Sequence, residues 1–365
     1  MIRIIKNIQE FKTYKEDCNR LADNFQMPLL RYEWLINCAY AVEPPGKLFV
    51  IVVHSEGRVK AIAPLILIKK TFTERLEMLG SALHNEPCGF LYEDENSLLE
   101  LLQKIESMKK TIFYNGIRGF SLERAKLENI LNQTKRLTFI NSKNVPYLPV
   151  TGTWENFQKN ISSSRRSSLR RLLRIAGSMG KPSVEIICPP IASVENYLNE
   201  ILEIEASGWK KRMGTAMTVN KNLGEFFKGY SKEAADLKML RLCFFRIDGV
   251  AIAAQIGIEY SNRFWLLKIG YNEKWARCSP GIILMNEVIN YAFSKKLDAV
   301  EFLGSNEQWL HIWTNQFHDT VNYRIYNSPV SCIGDITYLY STLLFNKAHS
   351  IYAKKKNRIR DLQNV

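Results

Sequence analysis

The residues with the greatest chemical potential lie late in the chain. Glu301 sits between apolar Val300 and Phe302 in a short run, Asp298 to Leu303, that stops at Gly304. A carboxylate there is costly unless it is paired or used, so it reads as an active-site group or as one arm of a salt bridge to an arginine. Glu307 follows in the loop after Gly304. Upstream, Tyr271 closes the run Phe264–Tyr271, and Ser279-Pro280-Gly281-Ile282 opens an amphipathic stretch reaching Phe293. Ser before Pro at such a start reads as an N-cap followed by the residue that best tolerates a first helical turn. The free N–H groups of that turn would seat an anion such as a pyrophosphate. Cys278, beside the same helix start, would have a lowered pKa but lacks an obvious His/Asp partner.

Basic residues raise the anion question again. Arg165 and Arg166 follow Ser162-Ser163-Ser164 at a helix start, a poor place for arginine beside the helix dipole unless an anion compensates. They read as phosphate ligands or as a solvated basic face. Glu205 and Trp209 stand at i, i+4 and share a helix surface, so Trp209 is either core or cleft.

Several chemistries have no signature. There is no HExxH, GxSxG, Walker or dinucleotide glycine pattern, and His54, His84, His311, His318 and His349 are dispersed. The seven cysteines are scattered with no CxxC pair, which argues against a disulfide framework and a zinc site and suits a reducing cytosol. The expectation is therefore a reaction that needs neither a metal nor a covalent intermediate. Acyl transfer from a thioester is one: the donor is already activated, so the protein orients two substrates, takes a proton and stabilises an oxyanion.

The elements that must position these residues follow from pattern. At 365 residues, with 46% hydrophobic and 24% charged content, the chain reads as two globular domains. A net charge of +14 implies an acidic partner: nucleic acid, an anionic surface or a polyanionic ligand. No signal-peptide h-region and no membrane span is apparent, so a cytoplasmic location is expected. Hairpins are expected around Glu56-Gly57 and Asp248-Gly249. Pro64 marks an edge or bulge in the first. Helices are expected at Arg31–Tyr40, Leu98–Met108, Leu122–Leu131, Ser162–Arg174, Val194–Lys210 and Ile282–Phe293. In the fourth, Leu169, Leu172, Leu173 and Ala176 line one face and Arg166, Arg170 and Arg174 another. Val145-Pro146-Tyr147-Leu148-Pro149 is the preferred boundary, and the similar hairpins on either side suggest a duplicated fold.

In this order the fragments resemble the FemAB-like branch of the GNAT acyltransferase superfamily, especially the CelD-like acetyltransferases found with bacterial exopolysaccharide genes. The resemblance spans roughly Pro28 to Asn327. It includes Arg31-Tyr32-Glu33-Trp34-Leu35, Arg58 to Leu65, the basic helix, Glu205-Ala206-Ser207-Gly208-Trp209-Lys210, Gly270-Tyr271-Asn272, Ser279-Pro280-Gly281 and Glu301 to Trp309. It implies an α/β fold with a mixed central sheet flanked by helices. The expected organisation is two GNAT-like lobes, 1–147 and a catalytic 148–330, with a basic tail at 331–365.

It further implies acetyl-CoA or another acyl-CoA as co-substrate, no metal, and a small-molecule or sugar acceptor. The strand ending near Tyr271 would hold the acyl-pantetheine arm. Ser279, Pro280, Gly281, Ile282, Arg165 and Arg166 would bind the cofactor, and Glu205, Trp209, Lys210 and Trp309 would line the substrate cleft. The family often carries Asp at the position of Glu301 and Tyr-Lys at that of Trp309-Leu310, so Glu301 or Glu307 is the expected proton handler, with Tyr271 near the acyl carbonyl. Two alternatives stay open: an aminoacyl-tRNA donor, and a non-catalytic module for anions or nucleic acid. Lys354 to Arg360 is a solvated end or a contact to an anionic membrane surface.

Overall fold

The computed structural model describes residues 1–337 and 341, apart from 43–45, 71–72, 85 and 208–216. The first half runs β1 (Ile2–Ile5), α1 (Ile8–Lys12), α2 (Lys15–Ala22), α3 (Tyr32–Val42), β2 (Gly46–Leu48), β3 (Val50–Ser55), β4 (Arg58–Ala63), β5 (Leu65–Lys70) and β6 (Thr73–Met78). It continues with α4 (Ser81–His84), β7 (Leu91–Tyr92), α5 (Glu95–Ser107), β8 (Thr111–Arg118), α6 (Leu122–Thr134) and β9 (Leu137–Pro149). The second half has α7 (Trp154–Asn160), α8 (Ser163–Ser178), β10 (Pro182–Ile187), α9 (Ile191–Ala206), α10 (Lys221–Asp236), β11 (Leu240–Ile247), β12 (Val250–Tyr260), β13 (Arg263–Tyr271), α11 (Pro280–Ser294), β14 (Ala299–Glu301) and β15 (Gln316–Tyr326). The fold is mixed α/β, with helices on both faces of a large mixed sheet.

Both expected hairpins turn where their chemistry demands. Glu56 and Gly57 (φ 52° and 76°), like Asp248 and Gly249 (φ 49° and 81°), take paired left-handed conformations, the twist that suits a two-residue hairpin. Pro64 does more than mark an edge. Lacking an N–H, it ends β4, which belongs to a four-stranded sheet (β1-β3-β4-β7), and β5 then starts in the large sheet. Opposite it, the chain steps from β2 in the large sheet to β3 in the small one, and the Phe49 N–H donates to Leu65 O across the break.

The large sheet is continuous across both halves, in the order β10-β11-β12-β13-β14-β9-β15-β8-β6-β5-β2. Tyr147 is the joint: on β9 it stands opposite Glu301 of β14 on one side and Gln316 of β15 on the other. The segment 145–149 is thus the end of a thirteen-residue strand. β15 returns from the second half to pair with β8 of the first.

Three clusters make most of the core. One holds Trp34, Phe226, Phe227, Trp265 and Leu303 between the first-half helices, α9, α10 and one face of β10–β13. A second lies on the opposite face of those strands, under α7, α8 and α11, and includes Phe264, Leu266 and Ile289. A third packs α5 and α6 on β3–β8. The basic helix is α8; Leu172 and Ala176 are buried as expected, but Leu173 is 42% exposed because the buried stripe is narrower than the periodicity suggested. The residues of the basic tail beyond 341 lie outside those described.

Glu123 of α6 is buried and accepts the Phe90 N–H at 3.0 Å. Burial lifts its carboxyl to about 7, against the pull of that N–H and of Arg118. The folded protein therefore holds this proton more tightly than the unfolded chain. Its stabilising contribution is full below the ordinary carboxylate range and is lost as pH rises through the folded value. Thermal midpoints of the wild type should fall between about pH 5 and about pH 8, and Glu123→Gln should flatten that slope. Equal slopes in the two proteins would refute this assignment.

Candidate functional site

The site begins with a mismatch in strand length. β13 pairs in parallel with β14 only at Arg263, Phe264 and Trp265. Beyond Trp265, β13 continues to Tyr271 paired with β12, and among the described residues no strand lies on its other side, because β14 has ended. Leu303 and Gly304 explain the ending: both are left-handed (φ 56° and 61°), which turns the chain out of the sheet. A bulge at Leu267, opposite the step from Ile256 to Gly257, adds local twist where the two strands part. This edge of β13 borders a gap between the strand and the departing chain.

Beside it lies a groove of about 320 Å³. The structure brings together Tyr271, Glu307, Ser279, Pro280, Gly281, Ile282, Glu205 and Trp309 in its lining. Glu205 is buried on α9 and accepts the Met217 N–H at 2.8 Å. Gln255, at the centre of β12, also lines the groove; it is 2% exposed and its Oε1 has no hydrogen-bond partner among the described residues. Sequence reasoning passed over it, although an amide inside Ala253-Ala254-Gln255-Ile256 is a signal of the same kind as Glu301.

The α11 start differs from expectation. Ser279 is left-handed (φ 47°), and its side chain makes no capping bond. Its carbonyl accepts from the Ile282 and Ile283 N–H groups instead, and Pro280 has no N–H. Of this first turn, the Gly281 N–H is left without a backbone acceptor among the described residues, so the anion seat is one N–H rather than a ring. Cys278 is fully buried, donates to Trp275 O at 3.2 Å and has its thiol pushed up by burial, the reverse of the expected activation.

Glu301 faces elsewhere. It is 1% exposed; Arg263 Nη1 donates to Oε1 at 2.5 Å, and His318 Nε2 lies 3.0 Å from Oε2. The His318 ring stacks on Tyr147 at 3.9 Å. Glu301, Arg263 and His318 line a cleft of about 350 Å³ between the two halves, together with Arg118, Phe120 and Phe317. Both carboxyl oxygens of Glu301 are thus occupied. Both readings of the sequence meet in this one residue, which is ion-paired and lines a cleft.

The basic pair is also committed. Arg166 Nη1 donates to the Gln158, Lys159 and Ile161 carbonyls and closes the C-terminal end of α7. Arg165 Nη1 donates to His311 O at 2.6 Å. Neither lines the groove. Trp209 and Lys210 lie outside the described residues. Among those described, no cluster of three His, Cys, Asp or Glu could hold a metal, and no helix is long and apolar enough to cross a membrane.

A further group stands at the gap on the face opposite Tyr271. Lys268 of β13 lies over the Phe227 ring at 5.6 Å, and His84 packs on Phe226 at 4.0 Å and Phe227 at 5.9 Å. Glu86 accepts the Gly304 N–H at 2.8 Å. A lone lysine in Phe264-Trp265-Leu266-Leu267-Lys268-Ile269 could have been noticed in the sequence. Glu86 and His84 sit in a stretch without periodicity and gave no signal.

The Arg263–Glu301 pair tests the static part of this picture. Removing the guanidinium leaves a buried carboxyl with one partner, so Arg263→Ala should lower unfolding stability by about 2–3 kcal/mol, less than for a fully buried pair because Arg263 is partly exposed. Glu301→Gln, which keeps an acceptor, should lose less than half of that in urea titrations. Equal losses would mean that the ion pair itself matters little.

Known proteins share this fold. The model of the acetyltransferase (GNAT) domain matches residues 163–310. The structure of FemX superposes with a TM-score of 0.57 at 11% identity, over 91% of this chain and 99% of that one. L-PGS from Bacillus licheniformis gives 0.56 at 12%, over 90% and 95%. The C-terminal domain of a putative lysylphosphatidylglycerol synthetase from Agrobacterium fabrum gives 0.55 at 10%, over 90% and 96%. None of the curated proteins matches the sequence. Residues 163–310, which hold the groove, the strand edge and α11, match the acetyltransferase (GNAT) domain, and the chain as a whole shares the fold of these solved structures.

Proposed function

We propose that the protein moves an acyl group from a CoA thioester, acetyl-CoA in the simplest case, to an amine or a sugar hydroxyl by direct attack. The observation that carries this reading is the edge of β13 beyond Trp265, beside which no described strand lies. An extended pantetheine arm carries amides that can pair with such an edge as a strand would. The groove beside it includes Gly270, which brings no side chain to this stretch of β13. Gln255 Oε1 offers an acceptor for an amide N–H of the donor.

The chain's own groups fit the arm better than the diphosphate. Among the described residues no Lys, Arg or His lines the groove, and α11 offers the single Gly281 N–H. Most of the donor's affinity should therefore come from the arm and the acyl group, and should depend weakly on salt. The acceptor would enter from the opposite face, where the inter-lobe cleft opens.

A second reading has its own observation. Arg170, Arg171 and Arg174 project from α8 exposed, and no ion pair engages them among the described residues. They suit a phosphate-rich donor such as an aminoacyl-tRNA, the alternative already open from the sequence. The described helices include no long arm of the kind expected for tRNA; the longest have sixteen residues. The basic tail as a contact to an anionic membrane, a cytoplasmic setting and a role in envelope polysaccharide chemistry remain parts of the same proposal.

Thermal-shift and calorimetric titration with CoA, acetyl-CoA and longer acyl-CoA thioesters test the first reading. The expected result is binding that survives a change from about 50 to about 200 mM salt, since few phosphate contacts are involved. Binding of charged tRNA that falls steeply over that range, with no response to any thioester, would replace the first reading with the second.

A further inference from the structure

We propose that Glu86 is the group that takes the proton from the attacking nucleophile. The inference rests on the acyl-thioester reading and names a residue that neither the sequence nor that reading assigned.

The geometry fixes its place. Ile269 and Tyr271 of β13 pack toward the cluster under α11, on the donor side of the sheet. Trp265 and Leu303 belong to the opposite cluster, which contains Phe226 and Phe227. Lys268, lying over Phe227, therefore marks the far face of the same open edge. Glu86 comes from the first lobe and reaches the Gly304 N–H, where the chain of β14 has just turned out of the sheet. The groove reaches both faces of this edge, with Tyr271 and α11 on one and Glu205 on the same face as Lys268, while Glu86 lies beside Gly304 and lines a small recess with Lys143. A thioester laid along β13 would be attacked from the Glu86 side.

Glu86 also has the free capacity that Glu301 lacks. The Gly304 N–H engages its Oε2 alone, whereas Arg263 and His318 occupy both oxygens of Glu301. The groups that face it are Lys143 from β9, Lys268 from β13 and Cys88 two residues further on, with His84 two residues before it. Burial raises its carboxyl above the usual range, against the pull of the Gly304 N–H and the two lysines, so it holds a proton more readily than an exposed carboxylate. His84 is poorly suited to that role, because burial first, then the charge of Lys268, pushes its ring down to about 3.

The step balances without another reactant. The nucleophile's N or O attacks the thioester carbon, forming the C–N or C–O bond. Its proton passes to Glu86, the C–S bond breaks with the electron pair leaving on sulfur, and that proton then returns to the thiolate.

Acetyl-CoA is the probe, with water as the nucleophile and release of the free thiol as the signal. Glu86→Gln keeps an acceptor for the Gly304 N–H but cannot take a proton. Its kcat should fall about 100-fold or more, with KM and calorimetric acetyl-CoA affinity unchanged. The wild-type rate should climb with pH to a plateau, and the variant should lose that limb, while Glu86→Asp recovers part of the rate. A variant that keeps kcat within about threefold, or that loses affinity and thermal midpoint together with rate, overturns the proposal. If the wild type itself neither binds nor cleaves acetyl-CoA while folded, the donor reading falls, and the role of Glu86 falls with it.

Discussion

The site depends on where β14 stops. A parallel neighbour of full length would have satisfied the second edge of β13, and the sheet would have closed. Instead two consecutive left-handed residues, Leu303 and Gly304, take the chain away after three paired positions. A non-glycine residue in that region is disfavoured by roughly 1 kcal/mol or more, and the surrounding packing holds Leu303 there, 2% exposed. An edge with no strand beside it among the described residues, flanked by a groove, leaves room for an extended chain.

The continuity of the large sheet gives that edge its rigidity. Tyr147 is paired on both sides, and β15 ties β8 of the first half to β9. The two halves therefore share one hydrogen-bonded scaffold, and the His318–Tyr147 stack and Arg263–Glu301 pair lie along the seam. Residues delivered to the gap from the first half, such as Glu86, are held against β14 by this frame rather than by a flexible linker.

Charge is distributed unevenly around the gap. The chain carries +14, yet among the described residues the groove beside β13 contains two glutamates and no cationic side chain. The arginines that looked like phosphate ligands are engaged by carbonyls: Arg166 closes α7, and Arg165 binds the His311 carbonyl. A guanidinium near a helix start can be stabilised by a neighbouring helix's C-terminal oxygens as well as by an external anion, and sequence spacing does not distinguish the two.

By itself the sequence determined the elements and their order. Period-2 and period-3.6 patterns, the turn pairs Glu56-Gly57 and Asp248-Gly249, and the Pro280 helix start are local signals, and they located the hairpins, α8, α11 and the stretch that holds the groove. Most residues singled out around that stretch do share one lining. What only the tertiary structure decided was which face each polar side chain meets. Glu301 and Tyr271 belong to strands that run side by side, yet they face different clefts, because the Leu267 bulge and the alternation of the strands set their directions. Ser279 caps nothing because its left-handed backbone turns the side chain away. Glu86, His318 and Gln255 matter through contacts with segments distant in the chain or through a missing partner, and no local pattern encodes either.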